Sequence, residues 1–484
     1  MGGHTVEGTA VGSGEGSQGA ASADLLTLAF EGQRPLAGGA RMSLAGVREV
    51  HLGRGAAFEA RRTGDVLAIS LPDDRVSGRH ARLLRGSGAA SDWTLADDGS
   101  RNGTFVGDAR HIQGPLAHDQ PFSLGSCLFF LSRGALSTHE TTLGATLAGR
   151  SQGLASLVPP VAEDLGRLAK IAASELPVLL LGESGTGKEV LARATHALSA
   201  RARGPFVAVN SGALTQSLLE AQLFGHVKGA FSGAVRDEPG YFRAASGGSL
   251  FLDEIGELAL GSQAVLLRAL ETREVVPVGS TRPVSVDVRV IAATLRPVES
   301  LREDLHMRLA GYSHRLAPLR ERMGDLGLLI AELLPRIAPA YASRVRFTPE
   351  ATRALGAHEW RLNVRELSQA LASALVLAGD AGVVRLSDLP AGLGVARAPA
   401  TSGRTAAPEA RPPSAEKPRS PQAPRPPVPA DERERALLAL LEEHRGNLSE
   451  VARQMNTTRV QVHRWIAKFG IDLEVYRQGQ EGPG

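Results

Sequence analysis

Apolar residues follow three different rhythms along the chain. Over 23–133 they come in short runs, at 25–30, 49–53, 66–71, 81–84, 93–96 and 122–131, separated by clusters of Gly, Asp and Asn. Short strands between such turns predict an all-β sandwich. Over 147–392 the rhythm changes. The runs 178–181, 206–209, 249–252 and 288–292 are apolar at nearly every position, as parallel strands covered on both faces are, and helical stretches such as 264–270 lie between them. That alternation predicts a central α/β domain. Over 431–478 the spacing is helical at 436–441, 448–455 and 458–469, with Asn456-Thr457 as a turn, which predicts an all-α helix-turn-helix.

The stretches between these regions carry no such rhythm. Residues 1–22 are Gly/Ser/Thr-rich and are expected to stay disordered. A short polar connection spans 134–146. Residues 393–430 are rich in Pro, Ala and Arg, which cannot build a core and predict an extended linker. With 484 residues there is room for two to four domains. The balance of 54 basic and 51 acidic residues does not by itself argue for a nucleic-acid partner. The single cysteine, Cys127, excludes a disulfide framework and fits a reducing compartment. No run has the length of a membrane span and no apolar signal core opens the chain, so a soluble, cytoplasmic protein is expected.

The strongest chemistry follows the strand at 178–181. There Gly182-Glu183-Ser184-Gly185-Thr186-Gly187-Lys188-Glu189 leads from an apolar strand into a helical stretch, 189–198. Glycines at 182, 185 and 187 let consecutive N–H groups converge on an anion, Lys188 adds a point charge, and the helix N-terminus adds its dipole. This is the P-loop pattern for a nucleoside triphosphate, with Glu189 where Ser or Thr usually holds the metal. Asp253 and Glu254 directly follow the strand 249–252. Two carboxylates at the carboxyl end of a central strand suit Mg²⁺ and water: Asp253 as the metal ligand, Glu254 to orient or deprotonate the attacking water.

The sandwich region has its own anion chemistry. Gly53-Arg54, Ser77-Gly78-Arg79-His80 and Ser100-Arg101-Asn102-Gly103-Thr104 all fall at turns, and a sandwich gathers turns at one end. Arg54 and Arg79 would supply charge-assisted donors, with Ser77 and Asn102 fixing geometry. Taken together these turns resemble the forkhead-associated (FHA) domain, which binds phosphothreonine peptides. The resemblance implies phosphate contacts from Arg54, Ser77 and Arg79, a peptide-backbone contact from Asn102, and a bracing role for His80.

Residues 222–234, with Gly225, Gly229 and Gly233, resemble the GAFTGA loop of bacterial enhancer-binding proteins, the AAA+ activators of sigma-54 RNA polymerase. Gly229, Ala230, Phe231, Ser232, Gly233 and Ala234 would then press on sigma-54, with Ser232 in place of threonine and Gln222 in place of glutamate. The resemblance, over 147–392, further implies a helical subdomain after the α/β core. It makes Asn210 a partner of the Walker B glutamate and offers Arg302 and Arg308 to a neighbouring subunit's ATP in a ring. In the motif 360–367 it places Arg365 near the γ-phosphate, although Arg361-Leu362 stands for Pro-Gly. At sensor I, Thr294 is kept but Leu295 replaces asparagine, and a buried leucine cannot report phosphate through hydrogen bonds.

The last region resembles the Fis-type DNA-binding domain of the same activators, including Gly446-Asn447 and Gly470-Ile471. Arg453, Arg459, Arg464 and Lys468 occur there without an acid between 451 and 471, and Thr457, Thr458, Arg459, Gln461, His463 and Arg464 are candidate DNA contacts. The expectation is a sigma-54-dependent activator, using ATP and Mg²⁺, bound to upstream promoter DNA and controlled by a threonine-phosphorylated protein. The competing expectation is a DNA-bound phosphopeptide adaptor whose ATPase opens no promoter, motivated by Leu295, Arg361-Leu362 and Ser232.

Overall fold

A computed structural model describes residues 22–86, 92–135, 142–143, 153–213, 216–393, 430–444 and 447–455, with isolated positions from 457 to 471. The expected disordered N-terminus, except Ser22, which begins a strand, and almost all of the 393–430 linker lie outside the described residues. The chain divides into two units, 1–399 and 400–484.

The first unit begins with β1 (Ser22–Glu31), β2 (Ala40–Ser43), β3 (Glu49–Arg54), β4 (Glu59–Thr63), β5 (Val66–Leu71), β6 (Ala81–Arg85) and β7 (Trp93–Asp97). It continues through β8 (Thr104–Val106), β9 (Ala109–His111), β10 (Gln113–Leu116), β11 (Pro121–Leu124), β12 (Cys127–Ala135) and β13 (Thr142–Leu143). One sheet runs β13-β2-β1-β12-β11-β8-β9 and the other β10-β7-β6-β3-β5-β4. All pairs are antiparallel except β3 with β5. Alternate residues, such as Val50 and Leu52 on β3 or Leu67 and Ile69 on β5, point between the sheets, where Trp93, Phe122 and Phe129 fill the core. Two expectations are corrected. The run at 122–131 is two strands, because Gly125 takes φ +54 and turns the chain between Leu124 and Cys127. The connection at 134–146 is not wholly outside the fold, since Ala135 pairs with Ser22 and β13 pairs with β2.

The α/β core follows α1 (Pro159–Ala172). It consists of β14 (Val178–Leu181), α2 (Lys188–Ala197), β15 (Phe206–Asn210), α3 (Gln216–Phe224), α4 (Gly240–Ala244), β16 (Ser249–Asp253) and α5 (Leu260–Thr272). A small hairpin of β17 (Glu274–Val275) and β18 (Val284–Ser285) precedes β19 (Arg289–Thr294), α6 (Glu303–Leu309) and β20 (Tyr312–Arg315). The sheet order β15-β16-β19-β14-β20 is parallel throughout, so every carboxyl end opens on one side. Leu179, Leu180, Leu250, Phe251, Ile291 and Ala292 are fully or almost fully buried, which accounts for their unbroken apolar runs.

A helical lid then forms from α7 (Leu326–Ile337), β21 (Arg346–Phe347), α8 (Pro349–Ala357), α9 (Asn363–Ala378) and β22 (Val383–Val384). Its core holds Leu326, Ile330, Phe347, Leu355, Trp360, Leu367 and Leu371. The same cluster contains Ala29, Phe30, Leu128 and Phe130 from β1 and β12 of the sandwich. Phe30 meets Phe347 edge to face at 5.3 Å, the Gly32 carbonyl accepts from Phe347 N at 2.8 Å, and Arg353 lies 4.2 Å over the Phe105 ring. A side chain on Gly327 would collide with the Ala29 carbonyl, so glycine sets how closely α7 approaches β1. The segment before α1 joins the same contact. Buried Asp325 accepts from Leu157 N (2.6 Å) and Ser156 Oγ (2.8 Å), while Arg41 of β2 donates to the Leu157 carbonyl (3.0 Å). Sandwich and lid share one hydrophobic interior.

In the second unit α10 (Ala430–Glu443) and α11 (Leu448–Gln454) gather Leu437, Leu441, Leu448 and Val451 with Val462 and Ile466 into a small helical core.

Candidate functional site

The carboxyl end of β14 turns into α2 through Gly185 (φ +76) and Gly187 (φ +101), the latter capping the helix. Gly182 does not take a positive φ. Its constraint is space, because an added Cβ would stand 3.2 Å from Leu316 Cβ and Thr186 Oγ1. Lys188 is 6% exposed and donates to the Gly182 (3.1 Å) and Glu183 (3.3 Å) carbonyls. The lid reaches this turn directly. Val364 N donates to the Gly185 carbonyl (3.0 Å), Arg365 Nη1 to Ser184 Oγ (3.0 Å), and Asn363 Nδ2 to the Ser184 carbonyl (3.0 Å) and Glu183 Oε2 (3.1 Å). Asn363 is fully buried at φ +58, and its Oδ1 accepts from Leu319 N at 2.7 Å. Strain of that kind persists where surrounding contacts over-determine the residue. Arg320 grips Glu183 with two bonds of 2.6 and 2.8 Å, and these, aided by Asn363, pull the Glu183 carboxyl down to about 2.

Asp253 ends β16 beside this turn. Burial pushes its carboxyl above the ordinary value, Lys188 opposes the push, and Glu254 adds to it. Glu254 takes φ +55, a conformation that costs a non-glycine residue energy, with its N–H on Asp253 Oδ1 at 3.0 Å. Asn210 lies in register with Asp253, but its Oδ1 accepts from Gly212 N (2.9 Å) rather than meeting Glu254. Glu189 pairs with Arg193 at 2.7 Å, one turn along α2. Arg302 pairs with Asp304 (2.7 Å), and Arg308 donates to the Leu270 carbonyl (3.0 Å). Thr294 is buried and its carbonyl accepts from Gly182 N (3.4 Å). Leu295 is 50% exposed, contrary to the expected burial, because the chain leaves the sheet after Thr294.

A cavity of about 130 Å³ adjoins the turn, lined by Thr186, Gly187, Val190, His314, Leu316, Leu329 and Arg322. Arg322 donates to the Thr186 carbonyl (3.0 Å), burial lowers its pKa, and its Nε is buried with no partner among the described residues. Glu183 keeps its place in the turn expected to receive the nucleotide, while its carboxylate faces Arg320 and Asn363. Arg320, Arg322 and Asn363 were missed. The first two, in Leu319-Arg320-Glu321-Arg322, belong to none of the motifs, and only Asn363 carried a signal, by its place in the motif 360–367.

The stretch Gly229 to Ala234 is the tip of a loop closed on itself by Gly229 N to Ala234 O (2.9 Å) and Ala234 N to Phe231 O (3.0 Å). Its base is stapled by the reciprocal His226–Glu238 bonds (3.0 and 2.9 Å). Phe231 is 42% exposed and tilts over His226 at 5.0 Å. Phe224, by contrast, is buried and stacked on Phe242 at 5.7 Å.

In the sandwich, Ser77 ties its own turn to both of the other predicted turns, and His80 adds a second link to the turn at 100–104. The Ser77 carbonyl accepts from Arg54 N (2.9 Å), its Oγ from Arg101 N (3.2 Å), and its N–H donates to His80 Nδ1 (2.9 Å). His80 Nε2 then donates to the Gly103 carbonyl (3.2 Å), and burial lowers the imidazole pKa, favouring the neutral ring this arrangement requires. Asn102 Nδ2 donates to the Arg75 carbonyl at 2.7 Å. Arg54, Ser77, Arg79 and Asn102 thus stand on one loop cluster, and Arg54 and Arg79 border a groove over β3 and β5. Of the candidate DNA contacts only Thr457 is described, its N–H on the Ala452 carbonyl at 2.9 Å. Thr458, Arg459, Gln461, His463 and Arg464 lie outside the described residues.

This architecture is that of an AAA+ P-loop ATPase with an FHA sandwich built onto its lid. Residues 158–316 match the sigma-54 interaction domain, 320–406 the AAA+ ATPase lid domain and 50–125 the FHA domain. ZraR of Escherichia coli, a transcriptional regulatory protein, is 38% identical over 70% of this chain and 74% of its own. SfnR of Pseudomonas putida, a sigma-54-dependent transcriptional activator, is 45% identical over 46% of this chain and 63% of its own, so the match spans under two thirds of that relative. HoxA of Cupriavidus necator, a hydrogenase transcriptional regulatory protein, is 48% identical over 43% and 45%. The chain belongs to the sigma-54-dependent transcriptional activators. No helix among the described residues is long and apolar enough to cross a membrane.

Proposed function

We propose that this chain hydrolyses ATP to remodel sigma-54 RNA polymerase into an open complex, from upstream DNA held by its C-terminal helices. Control comes from a threonine-phosphorylated protein bound to the FHA sandwich. The observation that carries the reading is the continuity of one folded body. The lid that holds the phosphate-binding turn through Val364, Asn363 and Arg365 has Phe30 and Phe130 of the sandwich inside its own core. A change at the sandwich therefore has a packed route to the nucleotide.

The residues take these roles. The turn from Gly182 to Lys188 receives the phosphates, and the cavity beside Thr186 and Arg322 receives the base. Two adjacent carboxylates plus substrate phosphates are what Mg²⁺ takes, and Asp253 would hold it, neutralising charge on the triphosphate. Glu254 orients the attacking water. Arg302 and Arg308 exchange Asp304 and the Leu270 carbonyl for the nucleotide of an adjoining subunit, which makes self-assembly into a ring part of the reading. The exposed tip at Phe231 and Ser232 meets sigma-54.

The adaptor reading keeps one specific observation, the half-exposed Leu295, which offers no hydrogen bond at sensor I. Reconstituted open-complex formation separates the two. With sigma-54 polymerase and hydrolysable ATP the wild type opens the promoter, and Ser232→Ala keeps its ATPase while opening falls. An adaptor binds DNA and phosphopeptide and opens nothing.

A further inference from the structure

Charges on the sandwich are distributed unevenly. Away from the recognition loops several of its arginines meet carboxylates: Arg82 meets Asp98 (2.8 Å) and Glu49 (3.5 Å), and Arg85 and Arg133 meet buried Asp24 (3.4 Å each), while Arg41 and Arg62 donate to backbone carbonyls. At the recognition end Arg54, Arg75, Arg79, Arg101 and Arg110 are all exposed, and none has a carboxylate within 4 Å among the described residues. Their backbones are tied together through Ser77 and Asn102, as described above, so they cannot drift apart. Arg110 folds back onto the same loop: a Cβ on Gly103 would stand 2.8 Å from its Nε. Of the acids near these loops, Asp74 and Asp108 are exposed and make no ion pair with these arginines, and Asp73 and Asp97 are engaged elsewhere. Asp73 accepts from Ser126 N (2.7 Å) and Arg75 N (2.8 Å), and Asp97 from Ser100 Oγ (2.6 Å) and Thr104 Oγ1 (2.7 Å).

A phosphothreonine carries about two negative charges near neutral pH. Arg54 and Arg79 already match it. Three further exposed guanidinium groups, on Arg75, Arg101 and Arg110, give the same loops cationic charge beyond what one phosphate takes. Building on the phosphothreonine reading above, we propose that Arg75, Arg101 and Arg110 select a second anionic group on the bound peptide, beside the phosphothreonine. Carboxylate side chains or a second phosphorylated residue would both supply it. The ligand class is an acidic phosphothreonine segment, and these three residues determine specificity rather than basic affinity.

Calorimetry with the full chain tests this with four peptides: phosphothreonine flanked by alanines, phosphothreonine flanked by aspartates, a doubly phosphorylated peptide, and the aspartate-flanked peptide without phosphate. The aspartate-flanked or doubly phosphorylated peptide should bind about tenfold more tightly than the alanine-flanked one at low salt, with the gain shrinking as salt rises. Whichever of the two gains more identifies the source of the second charge. Arg75→Ala with Arg101→Ala should erase the gain and leave the alanine-flanked affinity unchanged, and lysine at both positions should restore part of it. Equal affinity for alanine- and aspartate-flanked phosphopeptides overturns the proposal while leaving phosphothreonine recognition intact. Equal binding of the unphosphorylated acidic peptide, or of a single-stranded oligonucleotide, would reveal a general anion surface and overturn it too. No binding of any phosphothreonine peptide removes the reading on which it rests.

Discussion

On the proposed function two ends of the first unit receive phosphate, and they hold their cations in opposite ways. At the nucleotide turn four cationic side chains are already engaged: Lys188 with two carbonyls, Arg320 with Glu183, Arg322 with the Thr186 carbonyl, Arg365 with Ser184 Oγ. At the recognition loops the arginines engage no carboxylate among the described residues, while Ser77, His80 and Asn102 use their bonds to fix the backbone. A ligand at the first end must exchange existing contacts, and the exchange moves the lid that supplies several of them. A ligand at the second meets a frame already set. One end is a moving part and the other a preorganised receptor, joined by the core around Phe30 and Phe347.

The largest effect expected is at the moving end. Lys188→Ala should reduce phosphate release by at least about a hundredfold, as loss of a charge aimed at a transferring phosphoryl group does. Phosphopeptide affinity should be unchanged by it, and normal turnover would break the comparison at its root. Next is the joint. Phe30 is fully buried, so Phe30→Ala should cost about 3–5 kcal/mol and lower the melting of sandwich and lid together. Calorimetry showing two separate transitions, with the lid unaffected, would mean that the two ends do not share one core.

Smallest is the pH response, which has the same sign at both ends and separates them by window. The folded-state pKa of His80 is below its ordinary 6.5 because burial disfavours the charged ring. Its contribution is fully present above 6.5 and is lost as pH falls through the lower folded value. Melting of the full chain should drop by about 2–4 °C per kcal/mol so lost between pH 7.5 and 5. The Glu183–Arg320 link has the other window. Its contribution is present above the ordinary 4.5 and disappears only as pH falls toward about 2, so nucleotide affinity should not follow the His80 loss. His80→Gln should flatten the first response, and a melting curve that stays pH-dependent in that variant would assign the effect to another group.

Fold class was legible because burial on both faces of β14, β16 and β19 leaves unbroken apolar runs, and half-burial in the sandwich leaves alternation. Chemistry confined to one turn was legible for the same local reason: Gly185, Gly187 and Lys188 are neighbours in sequence and in space. What could not be read was long-range. Arg320 meets Glu183 across 137 positions, and Phe347 lies against Phe30 across a greater gap still, with no periodicity marking either. The strand break at Gly125 was hidden by apolar residues on both sides of one turn. Leu295 was expected to be buried at the sensor I position, yet the strand ends at Thr294 and leaves it half exposed.

The central claim is that the two phosphate sites are linked through the shared core, and linkage is reciprocal. Its most direct measurement is phosphothreonine-peptide affinity of the full chain, with and without a saturating non-hydrolysable ATP analogue. The account predicts a change of about fivefold or more between the two states, absent in a Lys188→Ala protein that no longer takes nucleotide. Identical affinities, with nucleotide binding confirmed in the same sample, would contradict it.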